Sequence, residues 1–248
     1  MIARIAICLA TITTLFYSCT KVKFKDLHDN PGQLRFCNIA TWTDTRDEMG
    51  SQRINVFTYD EHGNPLSVTS NFDGTGNSSH FFRYDELLRL SEYEYEDVET
   101  RSYHYTDSKK KADSATVTDV YGRIFSDVFT YDESGRIIKS VRRMVSSPFE
   151  EDIYPDETHE YVYLNDDLSS IIYGGSQQNP DVTYSDKPSV YMTNSVWKFI
   201  NQNYSKHAVA GVDTRNTFGL PLTFTPGSYQ FPFLDIGADG SSVTYQCE

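Results

Sequence analysis

Long apolar runs are nearly missing from this chain. After the first 18 residues no stretch approaches the roughly 20 apolar residues that a membrane-spanning helix requires. Basic residues are also scarce: 22 Lys and Arg stand against 35 Asp and Glu, for a formal net charge of −13. Nucleic acid calls for clustered Lys and Arg against its phosphates, so the balance argues against such a partner. It also leaves no polybasic handle for anionic lipid. The sequence contains no HExxH, GxSxG, P-loop or dinucleotide-binding fingerprint. No catalytic residue, metal site or cofactor is therefore assigned, and an enzyme is not expected. Asn71, Asp73, Thr75 and Asn77 alternate faintly as in a calcium loop, but its twelfth position is Phe82 where a bidentate Glu belongs. The histidines are scattered without metal-ligand spacing. His159 has Glu157 and Glu160 close in sequence, a set capable of acid–base work, yet adjacent residues on a strand point to opposite faces.

Cysteine is sparse too, with four in all. Residues 1–18 have the layout of an export signal: Arg4, then an apolar run from Ile5 to Phe16, then the small residue Ser18. Cys8 lies inside that signal and Cys19 directly follows it. A cysteine in that place resembles the lipobox of bacterial lipoproteins, although Phe16 and Tyr17 are bulkier than that motif's usual residues. The resemblance implies that Cys19 is acylated and becomes the first mature residue. An ordinary signal cut nearby, with Cys19 free, is the alternative. The remaining pair, Cys37 and Cys247, can form a disulfide in an oxidising compartment. Two free thiols are equally compatible with the sequence. The plan that follows is a signal peptide (1–18), a lipidated tether (19–32) and a β domain (33–248).

What the chain has in abundance is aromatic residues, 18 Tyr and 15 Phe. Many fall two apart, as in Phe57 and Tyr59, Phe82 and Tyr84, or Phe129 and Tyr131. On a strand such pairs share a face. In these three units an Asp follows at once (Asp60, Asp85, Asp132), able to accept a backbone N–H two residues on and so start a turn. Gly63 and Gly135 stand where the turn needs a positive φ. Unit two has Leu88 at that place, so a different turn is expected there. Beyond residue 180 the pattern changes, and Asn194 is positioned to cap a helix over 195–204. The expected fold is mainly β: a single large curved antiparallel meander sheet of tyrosine-led hairpins, with one short helix near the C-terminal third.

The run Tyr131-Asp132-Glu133-Ser134-Gly135-Arg136-Ile137 resembles the YD repeats of RHS-type bacterial proteins. With the lipobox, the segment Tyr184 to Tyr191 before the helix and the terminal Cys247, the chain resembles an uncharacterised family of YD-repeat envelope lipoproteins. That resemblance implies a location in the bacterial cell envelope. Thr20 after Cys19, in place of the Asp that retains some lipoproteins at the inner membrane, favours the outer one. It transfers no activity or site residues. The expected function is a non-catalytic, membrane-anchored binding or scaffold module for an unknown protein partner. The alternative is a glycan binder whose exposed aromatics, Trp42 and Trp197 among them, stack against sugar rings. Exposure of those rings separates the two.

Overall fold

The computed structural model describes residues 37–45, 52–71, 79–106, 109–178, 182–224, 233, 234, 236 and 241–247. The export segment, Cys19, the tether and most of the calcium-like loop lie outside the described residues.

Twelve strands run in sequence as an antiparallel meander: β1 (Cys37–Thr45), β2 (Gln52–Tyr59), β3 (Pro65–Ser70), β4 (His80–Tyr84), β5 (Leu90–Tyr95), β6 (Glu99–His104), β7 (Ser114–Asp119), β8 (Ile124–Tyr131), β9 (Ile137–Ser146), β10 (Glu157–Leu164), β11 (Asp167–Tyr173) and β12 (Ser176–Gln178). The chain then leaves this sheet through β13 (Tyr184–Pro188), a 3-10 turn (Val190–Thr193), α1 (Ser195–Ile200) and β14 (His207–Val209). It returns as β15 (Val212–Arg215), β16 (Pro221–Phe224) and β17 (Ser241–Cys247). β17 pairs with β1, giving one open 15-stranded sheet with β12 and β15 at its edges, while β13 and β14 pair separately. Cys37 opposes Cys247 in the β1–β17 ladder, and the structure carries the disulfide between them.

The tyrosine-led turns show why their residues are needed. At Asp132, the Gly135 N–H donates to the Asp132 carbonyl (2.9 Å) and the Asp132 N–H to the Arg136 carbonyl (3.0 Å). The carboxylate accepts the Arg136 N–H (2.9 Å) on one oxygen and its Nε (2.7 Å) on the other. Gly135 sits at φ +80°, which glycine adopts without penalty. Asp85 builds the same turn, and here the expectation of a different one is corrected. Leu88 takes φ +57° because its N–H still donates to the Asp85 carbonyl and Arg89 still clasps the Asp85 carboxylate. Its side chain points to solvent, so only the backbone bears the strain. Two further copies escape a search for Tyr-Asp. Asp119-Val120-Tyr121-Gly122-Arg123 repeats every bond, and Asn216 to Leu220 repeats the backbone ones with an amide oxygen as acceptor, Leu220 offering no guanidinium.

Three of the turns also receive a later tyrosine. The hydroxyl of Tyr84 donates to the Pro65 carbonyl (3.0 Å), Tyr105 to Leu90 (2.7 Å) and Tyr245 to Pro221 (2.7 Å). Pro65, Leu90 and Pro221 each lie five residues past a turn-forming Asp or Asn. The Arg89 guanidinium covers the Tyr105 ring at 4.3 Å, and Arg136 covers Tyr163 at 4.6 Å. The arginine that closes one turn thereby holds the ring of the following unit. Burial pushes these tyrosine hydroxyls far above their ordinary pKa, so they remain donors.

One face of the sheet carries the core. Phe57 opposes Val68 and Phe82 opposes Tyr93, and all four are buried. The 3-10 turn and α1 supply the cover, with Asn194 capping α1 through the Val196 N–H (2.9 Å) and fastening it to the first turn through the Gly63 carbonyl (3.0 Å). The helix is shorter than 195–204. Gln202 turns to φ +49°, and the Asn203 and Gln202 N–H groups return to the carbonyls of Lys198 and Phe199, a left-handed C-terminal cap. Trp197 is edge-on to Phe57, Phe82 and Phe233 at 5.4–5.7 Å.

Candidate binding surface

Away from the tyrosine turns, the inner face changes from apolar to ionised. Asp44 and Arg53 form a buried two-bond pair (2.8 and 3.0 Å). Asp127 holds Arg142 by two bonds (2.8 and 2.9 Å), Glu99 pairs with Arg101, and Arg142 approaches Glu99 at 3.7 Å. Burial works against the Arg101 charge, but the Glu99 carboxylate outweighs it and holds the guanidinium firmly protonated. Each carboxylate here is occupied by an arginine, so no two are left to work as acid and base on a sugar or ester. This network keeps charged side chains satisfied inside the fold.

His80 lies within the same row, 4% exposed, with its Nδ1 2.8 Å from the Tyr93 hydroxyl and its ring stacked on Tyr95. Burial, and then the nearby Arg53 charge, pushes its pKa down to about 4. The unfolded chain therefore takes up this proton first as pH falls, since a free histidine titrates near 6.5. Stability is complete above about pH 6.5 and declines toward pH 4, by about 3 kcal/mol at roughly 1.4 kcal/mol per unit. The aspartates of the turns act in a lower window. At Asp132, burial raises the pKa, but the Arg136 N–H and guanidinium outweigh it and hold the group below the carboxylate norm, so its contribution fades only under about pH 4. Urea midpoints between pH 7 and 4.5 should fall in the wild type and flatten in His80→Asn. A flat wild-type profile would show that the buried ring does not resist protonation.

The residues singled out from sequence are placed plainly. Trp42 and Trp197 are both 0% exposed, so neither presents a face to a sugar, and their role as a stacking platform is corrected. Trp42 is sandwiched between Phe224 (5.3 Å) and Phe233 (5.2 Å). His159 stacks on Tyr173 while Glu160 turns to the opposite face and pairs with Lys139. Sequence reasoning missed the pair of Asp167 and His207 (2.8 Å), which lie 40 residues apart. Asp167 accepts both the His207 backbone N–H (2.9 Å) and a bond to its Nδ1, and among the described residues no hydroxyl hydrogen-bonds to the His207 Nε2. An enclosed void of about 10 Å³ beside Tyr184 and His207 holds one water at most. No group of three or more potential metal ligands occurs among the described residues.

Exposed apolar side chains gather elsewhere. Glu99 pairs with Asp119 and Ile124 with Ser146, so the connections 96–98, 120–123 and 147–156 lie side by side at one end of the sheet. They present Val98, Val120, Tyr121, Phe149, Ile153 and Tyr154 to solvent, Ile153 being 90% exposed. Single exposed apolar residues are ordinary; six on neighbouring connections make this end of the sheet the candidate surface. From sequence, 146–157 reads as a long acidic loop with two prolines. Phe149, Ile153 and Tyr154 were the overlooked signal within it.

No family model matches the chain, and none of the curated proteins is similar to it. Among solved structures it is similar to a porin-like protein from Bacteroides uniformis ATCC 8492, with a TM-score of 0.51 and 11% identity over 84% of this chain and 96% of that one. That likeness concerns the fold alone. The outward side of the present sheet carries Arg83 bonded to Glu92 and Glu94, Lys139 bonded to Glu160, and hydroxyl pairs such as Thr58 with Ser67. A lipid-facing barrel wall needs apolar residues at those positions.

Proposed function

We propose that this chain is a non-catalytic envelope lipoprotein, tethered to the outer membrane through Cys19, that acts as a binding or scaffold module for a protein partner. The observation that carries the reading is the apolar group at the strand ends, set on a sheet whose inner ionised groups already satisfy one another. Burial of Trp42 and Trp197 removes the main support for the glycan alternative. Anchoring is tested by fractionation. The full chain, expressed in a diderm bacterium, is expected to incorporate radiolabelled palmitate and sediment with outer membranes. Cys19→Ser should lose the label and appear in the soluble periplasmic fraction. Sedimentation unchanged by that substitution would remove the anchor from the proposal.

A further inference from the structure

The strand-end surface has a chemistry that narrows its partner. Its apolar residues are presented by a braced loop. The Ser147 hydroxyl donates to Asp152 (2.6 Å) and accepts the Phe149 N–H (3.0 Å), and Arg143 holds Asp156 (2.7 Å). The Arg123 guanidinium lies between the rings of Tyr121 (4.8 Å) and Tyr154 (5.0 Å) and bonds the Tyr154 hydroxyl. Phe149 and Ile153 are thus held outward by fixed neighbours, which lowers the ordering cost of binding. At the same end of the sheet a depression of about 240 Å³ runs between the turn 96–98 and the end of β7. Glu94, Glu96, Asp97, Glu99 and Asp119 line it; Glu94 is bound by Arg83, Glu99 by Arg101 and Asp119 by Arg123, so Glu96 and Asp97 supply its uncompensated charge, and Val98 and Val120 contribute the apolar part of its wall. Asp97, Glu150 and Glu151 have no ion-pair partner among the described residues.

We infer that this surface docks a cationic amphipathic segment of a partner protein, with a Lys or Arg side chain in the acidic depression and aliphatic side chains against Phe149 and Ile153. Charge decides between occupants. An anionic bilayer or a nucleic acid repels the acidic rim, and a second copy of this chain in a two-fold pair sets acid against acid. A basic segment with apolar residues satisfies both halves of the surface at once. The inference rests on the binding-module reading and names the partner class for it.

The test uses the full mature chain and a fluorescein-labelled peptide of alternating lysine and leucine, with a glutamate–leucine peptide of the same pattern and phosphatidylglycerol vesicles as the other arms. Fluorescence anisotropy is expected to show binding of the lysine–leucine peptide only. The double variants Phe149→Ser with Ile153→Ser, and Asp97→Asn with Glu150→Lys, should each weaken it by about tenfold or more, the loss of a roughly 1.4 kcal/mol contribution. These positions are exposed, so both variants should keep the wild-type thermal midpoint. Absence of lysine–leucine binding, equal binding of the two peptides, or affinity unchanged in both variants would each overturn the inference. Vesicle binding that the Phe149 and Ile153 substitutions abolish would reassign the surface to lipid. Failure of the anchored-module reading appears separately, as unchanged fractionation of Cys19→Ser, which the tip substitutions do not affect.

Discussion

Replacing Trp197 with alanine is expected to destabilise the domain by about 3–5 kcal/mol, the range for truncating a large buried ring. Trp197 is fully buried where α1 meets the sheet, edge-on to Phe57, Phe82 and Phe233 and close to Tyr59. Truncation leaves a cavity shared by three separate segments, none of which can collapse into it without dragging a strand. The indole Nε1 has no hydrogen-bond partner among the described residues. Trp197→Phe keeps most ring contacts and removes that unsatisfied donor, so it should cost clearly less than the alanine variant. Chemical denaturation of the two variants side by side is the check. Equal losses would mean that ring packing is not what this position contributes.

Opening the Cys37–Cys247 bridge is expected to have an effect of similar size. The bridged residues are 210 apart in sequence, and cross-linking a loop of that length removes about 5 kcal/mol of chain entropy from the unfolded state. The β1–β17 ladder remains when the thiols are reduced, so the loss should appear mainly as a lower thermal midpoint. Cys37→Ala with Cys247→Ala should melt well below wild type without reductant and be insensitive to it. A wild-type midpoint that dithiothreitol leaves in place, under conditions where mass spectrometry shows both thiols alkylated, would refute this account.

Much of the sheet was legible because its signals are local. An Asp that captures N–H groups two and four residues on, followed by Gly and Arg, writes the turn into five or six consecutive positions, and alternating aromatics then set which face packs. The same local reading erred at Leu88, where the Asp85 and Arg89 clasp outweighs an unfavourable φ. It passed over Asn216, whose amide oxygen replaces a carboxylate and whose strand carries no tyrosine before the turn. Long-range facts were out of reach. Cys37 and Cys247 could be matched as a candidate bridge, but nothing near Cys37 gives the register of its strand with β17, and nothing near Trp42 signals that Phe224 and Phe233 close over it. The strand-end surface was hidden for a related reason. Ile153 in an acidic loop is unremarkable until pairing brings the connections 120–123 and 147–156 to the same end of the sheet.

The position of β1 bears on how the molecule comes into being. Among the described strands the earliest, β1, sits between β2 and β17, so one of its two flanks waits for the latest of them to be made. Until then the growing ribbon has a bare edge and no bridge to lock it. The ladder that joins the two runs of the sheet, and the bridge across it, can therefore close only once β17 has been made.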